Sequence, residues 1–185
     1  MSNYRGIAFL AAVRYIKQNY AEEGFAKVLE AMSPEDRDVI TGKLNPVTLY
    51  PMKAYISLLA TTDKLFGKGD YALCSDIGRF EADETFSGLY KVFLEVGNPH
   101  AVIRKAGLAW RTLHDAGDLE IEQTNDKFVK GKVTNFPDYH KAFCNVLFGY
   151  FAKVLEMSGA KNLNVKETKC RVNGDDCCEF ELSWE

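Results

Sequence analysis

Apolar residues in the first 117 positions recur mostly three or four residues apart, which is the spacing of one face of a helix. The pattern begins at Ile7 and is interrupted by short segments that contain glycine or proline. Ser33-Pro34 has the composition of a helix start, because serine caps the first turn and proline fits its first position. The sequence therefore predicts a mainly helical part over residues 1–117.

The period of the apolar residues changes after Gly117, where alternation typical of strands replaces helical spacing. The predicted elements are, in order, strands near 119–121 and 128–133, a helix over 138–158, and strands near 163–166 and 179–184. Asn173-Gly174 lies between the last two strands and is a strong hairpin signal.

These elements predict an α+β fold, in which the helical N-terminal half packs on a C-terminal antiparallel sheet with a strand-strand-helix-strand-strand ending. The chain has no repeat, low-complexity stretch or linker, so we expect a single domain over residues 1–185. Within it, residues 118–185 form the sheet, its helix and the terminal hairpin.

Charge and hydropathy exclude two kinds of partner. The net charge of −3 and the isoelectric point near 5.7 argue against a nucleic-acid partner, which needs an excess of basic side chains. The longest wholly apolar run, Ile7–Val13, is far shorter than the roughly 20 residues of a membrane span. No cleavage site of a secretory signal follows it, so we expect a cytoplasmic protein.

The cysteines are the unusual feature of the composition. The chain has five, and Cys170, Cys177 and Cys178 lie within nine residues of each other. Thiols stay reduced in the cytoplasm, where clustered cysteines indicate metal ligands or reactive groups before disulfides.

Strand and helix periodicity assigns a direction to most of these side chains. Cys178 shares a face with the apolar residues of the last strand, whereas Cys177 shares the polar face. Glu167 is in phase with apolar positions of the preceding strand, where a carboxylate costs several kcal/mol unless a cation or hydrogen bonds compensate it. Cys144 lies on the apolar stripe of the 138–158 helix. With Cys170, three thiols and one carboxylate can converge between helix and hairpin, a ligand set that structural zinc uses.

Two registers of the hairpin remain open. A two-residue Asn-Gly turn pairs Cys170 with Cys177 and leaves Cys178 on the other face. A turn one residue longer pairs Cys170 with Cys178, but Glu167 then needs a β-bulge to join them.

The spacing Glu167-x2-Cys170-x7-Cys178 resembles the closing motif of the 4-vinyl reductase domain family. That family is similar to the vesicle-tethering subunits of the TRAPP complex and to the ligand-binding domains of NO signalling. Its sensor domains hold zinc through one helical cysteine and this hairpin motif. The resemblance therefore implies a structural zinc ion at Cys144, Glu167, Cys170 and Cys178, with Cys177 as a non-ligand.

The resemblance also implies an apolar pocket between the helices and the sheet, near the zinc, for a small hydrophobic or aromatic ligand. The candidate lining residues are Phe86, Tyr90, Phe93, Trp110, Tyr139, His140, Phe143 and Phe148. Heme is not expected, because the chain lacks the Tyr-x-Ser-x-Arg pattern of the heme-binding branch.

The resulting functional hypothesis is a bacterial ligand-binding sensor domain that forms a homodimer and acts through a separate effector protein. An attached output module is not expected in 185 residues. Two alternatives remain, namely an accessory or reductase-type protein of tetrapyrrole metabolism and a dimerising TRAPP-like scaffold without ligand. No catalytic motif was found, which argues against an enzyme without deciding the question.

Overall fold

The computed structural model describes residues 1–87, 94 and 98–185. Its N-terminal part is helical, as predicted. The helices are α1 (Gly6–Ala31), α2 (Pro34–Thr41), α3 (Met52–Phe66), α4 (Leu73–Ser87) and α5 (Pro99–Leu113). A kink at Ala21, with φ of 59°, divides α1 into two helical segments. The predicted start at Ser33 is confirmed, since its hydroxyl oxygen accepts the Asp36 N–H and so caps α2.

A short two-stranded sheet in the helical part was not predicted. Strand β1 (Asn3–Arg5) pairs antiparallel with β2 (Leu49–Pro51). Ser2 anchors the start of β1, because its N–H and its hydroxyl both donate to Asp138 Oδ2, at 2.5 and 2.8 Å. Three-residue strands are too short to show a period of two, so the sequence pattern could not reveal them.

The C-terminal part is the predicted antiparallel sheet with its helix, and the α+β class is confirmed. The elements are β3 (Asp118–Asn125), β4 (Phe128–Thr134), α6 (Lys141–Met157), β5 (Asn164–Lys169) and β6 (Cys178–Ser183). The strand order is β3-β4-β6-β5, so both terminal strands lie on the same side of the first hairpin.

Helix α6 joins the two parts through a close crossing with α4. A Cβ added to Gly78 would lie 2.0 Å from the Val146 carbonyl oxygen, and one added to Gly149 would lie 1.9 Å from that of Ser75. Both distances are far inside van der Waals contact, so the crossing brings backbone against backbone and requires glycine at both positions.

The connection between β5 and β6 is longer than a two-residue turn. A 3₁₀ turn at Arg171–Asn173 follows Cys170, and Gly174 ends it in the left-handed conformation with φ of 99°. Glu167 pairs with Phe180 and Lys169 with Glu179, with a register shift between the two pairs. The structure therefore has the longer turn and the bulge, and this register continues toward Cys170 opposite Cys178.

No helix in the described ranges is long and apolar enough to span a membrane.

Candidate metal centre and apolar cavity

Three buried thiols meet between α6 and the terminal hairpin. Cys144 comes from the first turns of α6, Cys170 follows β5, and Cys178 begins β6. Their sulfur atoms all lie within 4.8 Å of one another, and the Sγ atoms of Cys144 and Cys178 are 3.9 Å apart. Periodicity placed Cys144 and Cys178 on inward faces, and the structure brings them together with Cys170.

The turn that follows β5 directs backbone donors at the cluster. The Arg171 N–H donates to the Cys178 sulfur at 3.4 Å. The Cys170 N–H donates to Asp175 Oδ2 at 2.7 Å, and the Cys170 carbonyl accepts the Asn173 N–H at 2.8 Å. These bonds fix the turn around the thiols, and the one from Arg171 stabilises negative charge on sulfur.

The thiols share protons unevenly. A hydrogen bond from the Cys144 S–H lowers the pKa of Cys178 to about 7, even though burial opposes this change. The same bond, together with burial, raises the pKa of Cys144. Burial also raises the pKa of Cys170, and the neighbouring Glu167 charge raises it further. One thiolate is therefore readily formed, while the others need a cation to replace their protons.

Glu167 lies beside Cys170 but outside the 4.8 Å group of sulfur atoms. Its Oε2 accepts a hydrogen bond from Lys141 Nζ in an ion pair. Its Oε1 is buried and has no hydrogen-bond partner by geometry among the residues that the structure describes, although the Cys170 thiol lies close enough to interact with the carboxylate. A buried carboxylate oxygen without a partner is costly, so a cation at the adjacent thiols would satisfy it.

The donor set fits zinc. Three cysteine sulfurs with one carboxylate oxygen are ligands that a tetrahedral zinc site accepts, and all three cysteines are shielded from water. Glu167, which lies beside Cys170 but outside this group of sulfur atoms, is the carboxylate that would supply a fourth donor.

Cys177 was predicted to share the polar face of the hairpin, and its thiol lies among the charged side chains of that face, Asp176, Lys132 and Lys169. It is nevertheless covered rather than exposed. Its sulfur contacts Asp176 Oδ1 at 3.5 Å and lies outside the thiol cluster. The fifth cysteine, Cys74, is buried on α4, away from the cluster.

An apolar cavity of about 70 Å³ lies between α5, α6 and the inner face of the sheet. Of the eight predicted pocket residues, Phe86 and Trp110 line it, whereas Tyr90 and Phe93 lie outside the described residues. Side chains that line it but were not predicted include Tyr4, His114 and Leu147. Tyr4 and His114 carry no local sequence signal, because only tertiary contacts bring them together.

The other four predicted pocket residues do not line this cavity. Phe143 packs against Phe136, and Phe148 against Phe180. The Tyr139 hydroxyl contacts the Val133 carbonyl oxygen, and His140 caps α6 by accepting the Ala142 N–H at its Nδ1. The sequence fails here because helix periodicity identifies buried positions without telling which neighbour each one faces.

His114 gives the cavity wall a neutral polar group. Its ring stacks between Tyr4, at 4.3 Å, and Trp110, at 4.0 Å between ring centroids. Burial lowers the pKa of His114 to about 3, so the imidazole is uncharged at neutral pH. Its Nδ1 is buried and finds no hydrogen-bond partner in the described part of the chain.

A second buried polar group lies behind this wall on α4. Glu81 is buried, and its Oε1 accepts a hydrogen bond from the Tyr55 hydroxyl. Burial raises the pKa of Glu81 well above its ordinary value, which favours the protonated, neutral carboxyl group. No sequence pattern indicated this cluster, because a lone glutamate on a helix is normally exposed.

The segment that carries the thiols matches a known domain family. Residues 130–183 match the model of the 4-vinyl reductase domain. The matched segment runs from β4 through α6 to the end of β6, and it includes all four proposed zinc ligands. The resemblance to the 4-vinyl reductase family is thus confirmed over this segment. No curated protein matches the chain.

Solved structures share the fold over the whole chain. An H-NOX protein from S. oneidensis in the Fe(II)NO ligation state has a TM-score of 0.72 at 13% identity, covering 98% of this chain and 99% of its own. The NMR structure of an H-NOX domain from Shewanella oneidensis in the Fe(II)CO state has a TM-score of 0.75 at 12% identity, covering 98% of both chains. An unliganded Fe(II) H-NOX mutant from K. algicida has a TM-score of 0.72 at 11% identity, covering 98% and 96%. At such identities the likeness shows that this chain shares the H-NOX fold, and nothing more.

The iron in those neighbours counts against the expectation that this chain binds no heme. The cavity lined by the described residues, about 70 Å³, is well below the roughly 300 Å³ at which pockets for drug-sized ligands begin. The histidine in its wall, His114, stacks between the rings of Tyr4 and Trp110.

Proposed function

We propose that this chain is a sensor domain that binds a small apolar ligand and is held together by a structural zinc ion at Cys144, Glu167, Cys170 and Cys178. The observation that carries the proposal is the convergence of three buried thiols beside an unpartnered carboxylate oxygen. The match of this segment to the 4-vinyl reductase domain supports it.

Zinc at these residues would serve folding rather than catalysis. Four protein ligands leave no open position for water or substrate. The ligands come from α6 and from both sides of the terminal turn, so the ion would tie the helix to the hairpin.

The ligand would occupy the cavity between α5, α6 and the sheet. Its wall is largely apolar, with Lys105 as its charged residue and a neutral His114, so a small hydrophobic or aromatic molecule fits best. Leu147 lines this cavity and lies one helical turn beyond Cys144 on α6. Occupancy of the cavity and of the metal site would therefore both act on α6.

The resemblance to the family is the support for how the domain would signal. We infer that a homodimer passes ligand occupancy to a separate effector protein in the bacterial cytoplasm. A role in tetrapyrrole metabolism and a ligand-free scaffold remain the alternatives. Reduction of a pigment by the purified protein would favour the first, and a protein that binds no ligand would favour the second.

Metal analysis of the purified chain tests the zinc site. We expect one zinc per chain in the wild type and loss of the metal in Cys144→Ser and Cys170→Ser. Cys74→Ser, which changes a buried thiol on α4, is the matched control and should keep its zinc. Full zinc in both ligand variants would contradict the site.

Blocking the cavity tests the ligand. Ala109 lines the cavity and Leu108 beside it is exposed, so Ala109→Trp should fill the space while Leu108→Trp leaves it open. With benzene as the probe, we expect thermal stabilisation of the wild type and of Leu108→Trp only. Equal stabilisation of all three proteins would place the ligand elsewhere.

A further inference from the structure

Lys141 contacts a proposed zinc ligand without being one. It is the first residue of α6, and its Nζ donates to Glu167 Oε2 across the gap between helix and hairpin. Lys141 precedes Cys144 by three positions, so the two side chains lie on the same face of the helix. The lysine therefore reaches the metal site from the same element that supplies one of its sulfurs.

This contact makes the two oxygens of Glu167 different. Oε2 is engaged by the ammonium group, whereas Oε1 is buried and unpartnered. Both side chains are mostly shielded, with 31% of Lys141 and 21% of Glu167 exposed, so the ion pair is only partly screened by water. With Oε2 held by Lys141, Oε1 is the oxygen left available beside Cys170.

The net negative charge of the proposed site also favours a cation close to Glu167. Three thiolates and one carboxylate carry four negative charges, and a zinc ion neutralises two of them. A buried excess of negative charge is costly unless a cation lies nearby. Among the described residues, Lys141 is the cation that pairs with a proposed ligand of this site.

We propose that Lys141 is a positioning residue of the zinc site, which holds Glu167 so that one oxygen binds the metal and offsets the remaining negative charge. The inference rests on the proposed zinc function. If Lys141 instead competed with the metal for Glu167, removing the lysine would strengthen zinc binding rather than weaken it.

Zinc affinity of the full chain, measured by competition with a chelator, separates these arrangements. We expect Lys141→Met to weaken zinc binding by about 10- to 100-fold, the usual effect of removing a group that orients a metal ligand. Lys141→Arg keeps the charge and the donor, and should restore most of the affinity. Lys153→Met removes another paired lysine of α6, whose Nζ lies 3.1 Å from Asp83, and should leave the affinity unchanged.

A second measurement asks whether Lys141 acts through Glu167. In a Glu167→Gln background, Lys141→Met should weaken zinc binding no further. Cobalt substitution provides a readout of the ligand set, and the visible absorption bands should keep the intensity of three thiolates in Lys141→Met while the band positions shift. Circular dichroism of each metal-free variant verifies that it folds.

Zinc binding by Lys141→Met that is as tight as in the wild type, or tighter, would overturn the inference while leaving the zinc site in place. A full loss of affinity that persists in the Glu167→Gln background would also overturn it. A wild-type chain that binds no zinc would instead overturn the proposed function itself, and the inference with it.

Discussion

The helical part and the terminal hairpin each bury a cluster of titratable side chains, and each cluster avoids buried charge in a different way. In the helical part, burial favours a protonated Glu81 and a neutral His114, and the Tyr55 hydroxyl satisfies one oxygen of the acid. Between α6 and the hairpin, three thiols gather beside Glu167. Among the described residues each cluster leaves buried polar atoms without a hydrogen-bond partner, namely Glu81 Oε2 and His114 Nδ1 in the first and Glu167 Oε1 in the second. The first cluster avoids charge by holding neutral groups, whereas the three thiols of the second are a donor set that a metal ion would fit.

The stability of the two parts should therefore respond to different conditions. The stability of the helical part should depend on pH, because its groups have pKa values far from those of the unfolded chain. The stability of the hairpin should depend on metal, because its proposed ligands come from separate elements that a metal ion would tie together. Helix α6 belongs to both, so a disturbance at its crossing with α4 should affect the whole protein.

Removing the metal should have the largest effect. A ligand present at a thousand times its dissociation constant stabilises a protein by about 4 kcal/mol, which corresponds to about 10 °C in a domain of this size. We therefore expect EDTA to lower the Tm of the zinc-loaded wild type by about 10 °C. Cys170→Ser should have the lower Tm from the start and should not respond to EDTA.

Cys74→Ala is the control for this experiment, since it removes a buried thiol from the helical part. Its Tm should fall through lost packing, but its response to EDTA should equal that of the wild type. A wild-type Tm that EDTA leaves unchanged would remove the distinction between the two clusters.

Gly78→Ala should come next, because it forces α4 and α6 apart. Its Cβ would lie 2.0 Å from the Val146 carbonyl oxygen, and overpacking of this kind costs about 3 kcal/mol. Urea unfolding measures the loss, which should be equal with and without zinc. Ser75→Ala, on the same helix and without added bulk, should change the free energy of unfolding by less than about 0.5 kcal/mol. If the loss appeared only in the presence of zinc, the crossing would stabilise the metal-bound hairpin rather than the whole protein.

His114→Phe tests the pH dependence of the helical part. The pKa of His114 is lowered from 6.5 to about 3 in the folded protein, so only the unfolded chain takes up this proton as the pH falls. Its contribution to stability is therefore complete above pH 6.5 and is lost as the pH falls toward 3. From about pH 7.5 to 5, the wild type should lose about 2 kcal/mol relative to His114→Phe, at about 1.4 kcal/mol per pKa unit.

Urea unfolding at several pH values measures this difference. Phenylalanine keeps the stacking on Tyr4 and Trp110 and removes only the titrating nitrogens. Parallel pH profiles for wild type and variant would show that His114 does not titrate on unfolding. His100→Phe, which changes a half-buried histidine at the start of α5, controls for the loss of any histidine.

The sequence predicted the cluster of three thiols better than the cavity, for a physical reason. Strand alternation and the helical stripe place Cys144, Glu167 and Cys178 on inward faces, and each inference needs only neighbouring residues. The register of the hairpin could not be chosen in this way, because a turn of either length is compatible with Asn-Gly. The bulge after Glu167 selects the longer turn. A bulge depends on how β5 pairs with β6, which the residues of β5 alone do not reveal.

The cavity depends on contacts between distant parts of the chain. Tyr4 stacks on His114, 110 positions later, through the short strand β1 that has no detectable period. Phe143 and Phe148, predicted to line the pocket, lie on α6 but pack on other neighbours. Burial follows from periodicity, whereas the choice of neighbour follows from the arrangement of helices and sheet, which no local pattern contains.

Glu81→Gln should have the smallest effect, with the opposite dependence on pH. Because burial raises the pKa of Glu81, the folded protein keeps a proton that the unfolded chain releases above about pH 4.5. The contribution of Glu81 to the stability of the wild type therefore falls as the pH rises. Between about pH 5 and 6, the free energy of unfolding of the wild type should fall by about 1 kcal/mol relative to that of Glu81→Gln. The amide keeps an acceptor for the Tyr55 hydroxyl and cannot ionise. Asp76→Asn changes an exposed acid of the same helix and should show no such trend in urea unfolding. If Glu81→Gln follows the wild type across this range, the acid is not held neutral by burial, and the proposed contrast between the two clusters is lost.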